Sequence, residues 1–131
     1  MNTLSNFAPL GARLLLGLIF TVFGLNGFLQ FIPIPPAEGD AATFMGGLFA
    51  SGYFFPMLAS VQILVGLSLL TNILTPIALI VLAPITVNIV AYHSLAPEGM
   101  PLALLVLALH LGVAWNLRAR FAPLFTTPSA S

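Results

Sequence analysis

The sequence predicts an all-α membrane protein, a four-helix bundle with a short interfacial helix between the first and second spans. The 131 residues are 60% hydrophobic and only 5% charged, whereas soluble domains carry about 25% charged residues. The apolar residues fall into four long stretches separated by short connections. These stretches are continuous and lack the strict alternation of a membrane β-barrel strand, so helical spans are predicted.

Composition excludes several classes of protein. Cysteine is absent, and the three basic side chains are all arginine. A disulfide scaffold and a zinc site built on thiolates are therefore excluded, and we expect no metal centre. Three basic residues are too few for a nucleic-acid surface.

The predicted spans cover about residues 10–31, 54–74, 76–95 and 101–117 of a single domain, 1–131. A helix needs ~20 residues to cross a hydrocarbon core of ~30 Å, and each stretch is close to that length. The first stretch has no basic flank before Arg13 and no small-residue cleavage site behind it. We therefore expect a retained helix rather than a signal peptide.

The connections are unequal in length. Thr75-Pro76 joins the second and third spans tightly, and residues 97–99 form another short turn. In the longer segment 33–53, Asp40 is expected to cap a short helix. An interfacial anchor is favoured over a gating lid, since the helix carries an apolar stripe suited to a membrane surface: Phe44, Met45, Leu48 and Phe49.

The charges predict the orientation of the bundle. Arg13, Arg118 and Arg120 flank the first and fourth spans at one end, while all three acidic residues lie in the connections at the other end. Basic residues favour the cytoplasmic side. Both termini are therefore expected in the cytoplasm.

Helical periodicity then predicts which side chains face inward, at ~100° per residue. Small residues along a stripe let helices approach closely; these are Gly17 and Gly24 on the first span and Gly66 on the second. Arg13 shares the stripe of the first span near its inner end, and snorkelling to a lipid phosphate explains this arginine at least as well. Asn26 and Gln30 are expected to point away from the bundle.

Three further spans each carry one polar side chain predicted to face inward at a similar depth. Gln62, Asn88 and His110 lie roughly 10–14 Å below the outer surface by helical rise. They are candidates for a ligand or proton-handling pocket, with Tyr92 and His93 near its outer end. Helix–helix hydrogen bonds explain the same residues equally well, and an interfacial position is the default for His93.

The chain resembles the DoxX family of small four-helix membrane proteins over nearly its whole length. The resemblance rests on the order and spacing of five passages: RLLLGLIFTVFGLNGF (13–28), ASGYFFPML (50–58), VQILVGLSLL (61–70), LTPIALIVLAPITVNIVAYH (74–93) and PLALLVLALHLGVAW (101–115). It implies a bundle in the bacterial inner membrane, and some members of the family are linked to quinone-dependent sulfur oxidation or to membrane redox complexes.

The chain also departs from the family pattern. Family members often carry lysine where this chain has Gly27, and acidic residues where it has Gln62 and His110. Charge is thus lost at three predicted interior positions, which puts the family chemistry in doubt here. Without cysteine, thiol–disulfide exchange by this chain is excluded.

Three functions follow as hypotheses. The first is an accessory subunit of a quinone-linked redox system, with quinone as the candidate ligand and a redox protein as partner. The second is a non-enzymatic assembly or anchoring protein in the lipid bilayer. The third is a solute carrier, which at 13.8 kDa would require a homo-oligomer.

Overall fold

A computed structural model describes the backbone of residues 3–126 and the side chains of residues 7–126. The helices are α1 (Thr3–Leu29), α2 (Gly39–Ala50), α3 (Phe54–Thr71), α4 (Thr75–His93), α5 (Met100–Asn116) and α6 (Arg118–Phe121), with 3-10 turns at Pro97–Gly99 and Ala122–Phe125. The described residues contain no strand, so the predicted all-α class is confirmed. Residues 1–2 and 127–131 of the predicted domain lie outside the described residues.

Four of these helices, α1, α3, α4 and α5, are long and apolar enough to cross a membrane. Each carries large apolar side chains on its outer surface, such as Leu18 (52% exposed), Leu64 (68%), Val87 (63%) and Leu111 (59%). A surface of this kind is suited to lipid rather than water. The chain is a multi-pass membrane protein.

The four long helices stand in a ring in the order α1, α3, α4, α5, with each helix beside the next and α5 beside α1. Consecutive long helices run antiparallel, because short connections join α3 to α4 and α4 to α5. One end of the ring therefore carries Arg13, Arg118 and Arg120, and is called the basic end below. The acidic end carries Glu38, Asp40 and Glu98.

The centre of the ring is an apolar core to which all four helices contribute. Its fully buried side chains include Leu16 and Phe20 of α1, Leu69 of α3, and Leu79 and Leu82 of α4. Burying these side chains against one another maximises close van der Waals contact, which drives helix association where lipid is as apolar as the core.

The turn between α3 and α4 lies earlier than predicted. It spans residues 72–74, and Thr75 and Pro76 are already the first residues of α4. Asn72 ends α3 because it adopts a left-handed conformation with φ of 56°, which asparagine tolerates better than most residues. The Thr75 hydroxyl then donates a hydrogen bond of 2.7 Å to the Asn72 side-chain oxygen, which ties the two helix ends together.

The short helix between the first two spans is present as α2, but Asp40 does not cap it. The N-cap residue is Glu38, which makes no side-chain capping bond, and Asp40 lies within the first turn. The helix is anchored by the fully buried Ala41 and by aromatic contacts. The Phe44 ring lies 6.0 Å from that of Tyr92, and the Phe49 ring lies 4.8 Å from that of Phe55.

Candidate functional site

Glycines bring α1 and α3 into backbone contact along most of their length. A methyl group added at Gly17 would lie 3.0 Å from the carbonyl oxygen of Gly66, and one added at Gly24 would lie 2.9 Å from the backbone nitrogen of Ile63. A methyl group at Gly66 would lie 2.6 Å from the backbone nitrogen of Thr21. The predicted packing glycines thus lie where the two helices meet, and their role is structural.

Arg13 belongs to the same interface. Its guanidinium donates a hydrogen bond to the carbonyl oxygen of Leu69, near the end of α3. That carbonyl lacks its usual partner, because the N–H of Ile73 bonds Ser68 instead. A cation at a helix C-terminus is also favoured by the helix dipole, so Arg13 caps α3.

His110 is the best-defined polar group in the membrane interior. The side chain is 7% exposed, and its Nδ1 lies 2.9 Å from the hydroxyl oxygen of Thr86, which is itself 1% exposed. His110 and Thr86 thus join α5 to α4 through a buried polar contact.

Sequence reasoning missed Thr86 because its hydroxyl is commonly satisfied within its own helix. Thr86 continues the face of Ala78, Leu79 and Leu82 at helical period, but α4 carries apolar residues on every side, so its periodicity gave no signal for this face. This face, rather than the predicted one, is the buried side of α4.

The prediction that Asn88 faces the interior is wrong. Asn88 is exposed, and its amide donates a hydrogen bond of 2.8 Å to the carbonyl oxygen of Pro84 in its own helix. Val81 and Pro84 share its stripe and are exposed as well. Because the amide is satisfied one turn back along α4, it needs no partner across the bundle.

The three predicted pocket residues therefore do not come together. Gln62 is half-buried on α3, and no hydrogen bond joins it to His110 or Asn88. The helices that carry Gln62 and His110 stand at opposite corners of the ring, since each packs mainly against α1 and α4. Helical rise gives only the position of a residue along its helix, and it leaves the direction of the side chain open.

Tyr92 and His93 lie at the acidic end, where α4 meets α2 and the turn before α5. The two rings pack edge to face with centroids 5.1 Å apart. His93 also donates from Nδ1 to the carbonyl oxygen of Ile89 at 2.7 Å, and its ring lies directly on Gly99. These contacts match a structural role at the end of the bundle.

Asn26 was predicted to point away from the bundle, and this is also wrong. It is 6% exposed, and its side-chain oxygen accepts a hydrogen bond of 2.7 Å from the backbone N–H of Ile32. Asparagine near a helix end often satisfies the following backbone in this way. Gln30, by contrast, is exposed, as expected.

The described surface carries a groove on each of two sides of the bundle, and neither groove includes Gln62, Asn88 or His110. One, of about 470 Å³, lies between α3 and α4 and is lined almost wholly by aliphatic side chains. The other, of about 440 Å³, lies beside the end of α5 and includes Trp115 and Arg118. Both grooves open to the outside of the bundle.

Comparison of the chain with protein-family models, with curated proteins and with solved structures gives no match.

Proposed function

We propose that this chain is a non-catalytic accessory subunit that binds a transmembrane helix of a partner protein in the groove between α3 and α4. The resemblance to DoxX adds the expectation that the complex serves quinone-linked redox metabolism in a bacterial inner membrane. The arginines at one end of the bundle favour a cytoplasmic position for both termini. The groove is the single observation that carries the proposal.

The chemistry of the groove favours an apolar helix as its occupant. Its walls include Leu64 and Ile77, which are 68% and 56% exposed, and its floor is formed by the buried Val65 and Ala78. Large side chains flanking a floor of smaller ones form the kind of hole into which a knob from another helix packs. In a membrane, such packing rather than water exclusion drives association.

The polar side chains in the groove already donate hydrogen bonds within the chain. Thr71 donates from its hydroxyl to the Leu67 carbonyl at 2.7 Å, and Ser68 donates to the Ile73 carbonyl. A partner helix therefore needs no polar side chain to match them. The interior polar groups support the same function, because His110 and Arg13 already bond within the bundle.

The test is purification of the protein from its own membranes in mild detergent, followed by native mass spectrometry. We expect a stoichiometric partner protein to co-purify with the wild-type chain. Ile77→Trp should fill the groove and reduce recovery of the partner at least about tenfold, which corresponds to 1.4 kcal/mol.

Leu18→Trp is the matched control, since Leu18 is 52% exposed on α1, away from the groove. It adds the same side chain to the outer surface and should leave recovery unchanged. Equal recovery in both variants, or a wild-type chain that purifies without a partner, would contradict the proposal.

A further inference from the structure

We propose that the second groove, beside the end of α5, is a binding site for one anionic glycerophospholipid. The site combines an apolar crevice with an arginine at its mouth, and it lies at the basic end of the bundle. It is independent of the partner-binding groove between α3 and α4.

The crevice is apolar toward the middle of the membrane and cationic toward the water. Leu111 and Ala114 of α5 line its inner part, and Arg118 lies beyond the end of α5, as the first residue of α6. Phe121 and Phe125 also line the crevice. A phospholipid has the same polarity, with its acyl chain inside and its phosphate at the interface.

Arg118 is held at the mouth in a fixed orientation. Its guanidinium carbon lies 4.5 Å from the centre of the Trp115 ring, and its Nη1 donates to the Trp115 carbonyl at 2.9 Å. Guanidinium has five N–H donors, so most of them remain for phosphate oxygens, to which arginine binds bidentately. The stacked ring also reduces the conformational freedom that binding would otherwise remove.

The charge at this end of the bundle is uncompensated by carboxylate side chains. All three acidic residues of the chain lie at the acidic end, in α2 with its N-cap and in the turn before α5. Arg118 therefore has no acidic side chain beside it, while Arg13 and Arg120 add positive charge at the same end. Positive charge near the membrane surface favours an anionic headgroup over a zwitterionic one.

The test uses Trp115, the only tryptophan in the chain, as a reporter inside the site. The full-length protein is placed in phosphatidylcholine nanodiscs that contain brominated phosphatidylglycerol or brominated phosphatidylcholine, and quenching of tryptophan fluorescence is titrated. We expect half-maximal quenching at about fivefold lower mole fraction of the anionic lipid, which corresponds to about 1 kcal/mol.

Two variants and one control distinguish lipid binding in the crevice from a general attraction of anionic lipids to the arginines. Arg118→Gln should bring the preference close to one, and Ala122→Leu, which fills the crevice without changing charge, should do likewise. Arg120→Gln removes an equal charge from an exposed residue that does not line the crevice, and it should keep most of the preference.

The proposal is overturned if wild-type protein quenches equally with both lipids, or if Arg118→Gln and Arg120→Gln reduce the preference to the same extent. Glycerol 3-phosphate added in excess should not relieve the quenching. Relief would show that the headgroup alone is recognised and that the crevice has no part in binding.

Discussion

Helix α3 meets its two neighbours in opposite ways. Against α1 it presents Gly66 and the backbone beside it, so that the two main chains touch. Against α4 it presents large aliphatic side chains, including Leu64 and Leu67, and leaves a groove between the helices. The α1–α3 interface is thus too tight for an added methyl group at its glycines, whereas the α3–α4 side has a groove wide enough for side chains of another helix.

The face of α3 toward α1 therefore contributes to the stability of the bundle, whereas the face toward α4 is available for binding. Backbone contact maximises van der Waals attraction between α1 and α3, but it tolerates no added atom. The α3–α4 side tolerates change because its surface side chains already face outward. We therefore expect substitutions of similar size to have large effects on one face of α3 and small effects on the other.

The largest effect is expected for Gly66→Ala. The new methyl group would meet the hydroxyl and backbone nitrogen of Thr21, and overpacking of this kind costs about 2–3 kcal/mol. The free energy of unfolding in bicelles measures it. Gly112→Ala is the control, because a methyl group there meets nothing within 4 Å; equal destabilisation by both would remove the contrast between the two faces.

The next effect concerns the buried pair on α4 and α5. Thr86→Val should lower the free energy of unfolding by about 1 kcal/mol, since it removes the partner of His110 while keeping the shape of the side chain. A double-mutant cycle with His110→Leu isolates the coupling between the two side chains. If the two single effects simply add, the hydrogen bond does not link α4 to α5.

His110→Leu also tests the quinone hypothesis by itself. Since His110 bonds Thr86 and is not joined to Gln62 or Asn88, we expect quinone co-purification with the complex to be the same as for wild type. A loss of bound quinone in this variant, at unchanged protein stability, would support the hypothesis that His110 contributes to a quinone-binding pocket.

A smaller effect is expected for Arg13→Gln. It removes the charged cap on the Leu69 carbonyl, and a cation at a helix C-terminus contributes about 0.5–1 kcal/mol. Arg120→Gln removes the same charge from the exposed end without touching α3, so its free energy of unfolding should equal that of the wild type. Equal loss in both variants would assign the effect to net charge.

The smallest effect on stability is expected for Ile77→Trp in the groove. Ile77 is 56% exposed, so a larger ring projects outward and should change the free energy of unfolding by less than about 0.5 kcal/mol. The same variant is expected to reduce recovery of a partner protein. A destabilisation comparable to that of Gly66→Ala would mean that the two faces of α3 do not differ.

The sequence predicted features that depend on one helix at a time. The number of spans, the short helix after Pro36, and the positions of the small residues all follow from local composition. The face of α5 that carries His110 was also predicted correctly, because Ala103 and Val106 mark it with small or β-branched side chains. Both residues are fully or almost fully buried in the structure. The direction of Asn88 was not, since α4 is apolar on every side and its periodicity gives no direction.

By itself, the sequence determined that this chain is a set of membrane-crossing helices with its arginines at one end and its acids at the other. Lipid cannot hydrogen-bond a bare backbone, so long apolar stretches must become helices. Only the tertiary structure decided which polar side chains meet. Asn88 bonds its own helix and Asn26 bonds the chain that follows, while Thr86 reaches across to His110. These side chains bond partners that the packing of neighbouring helices and the path of the chain bring within reach.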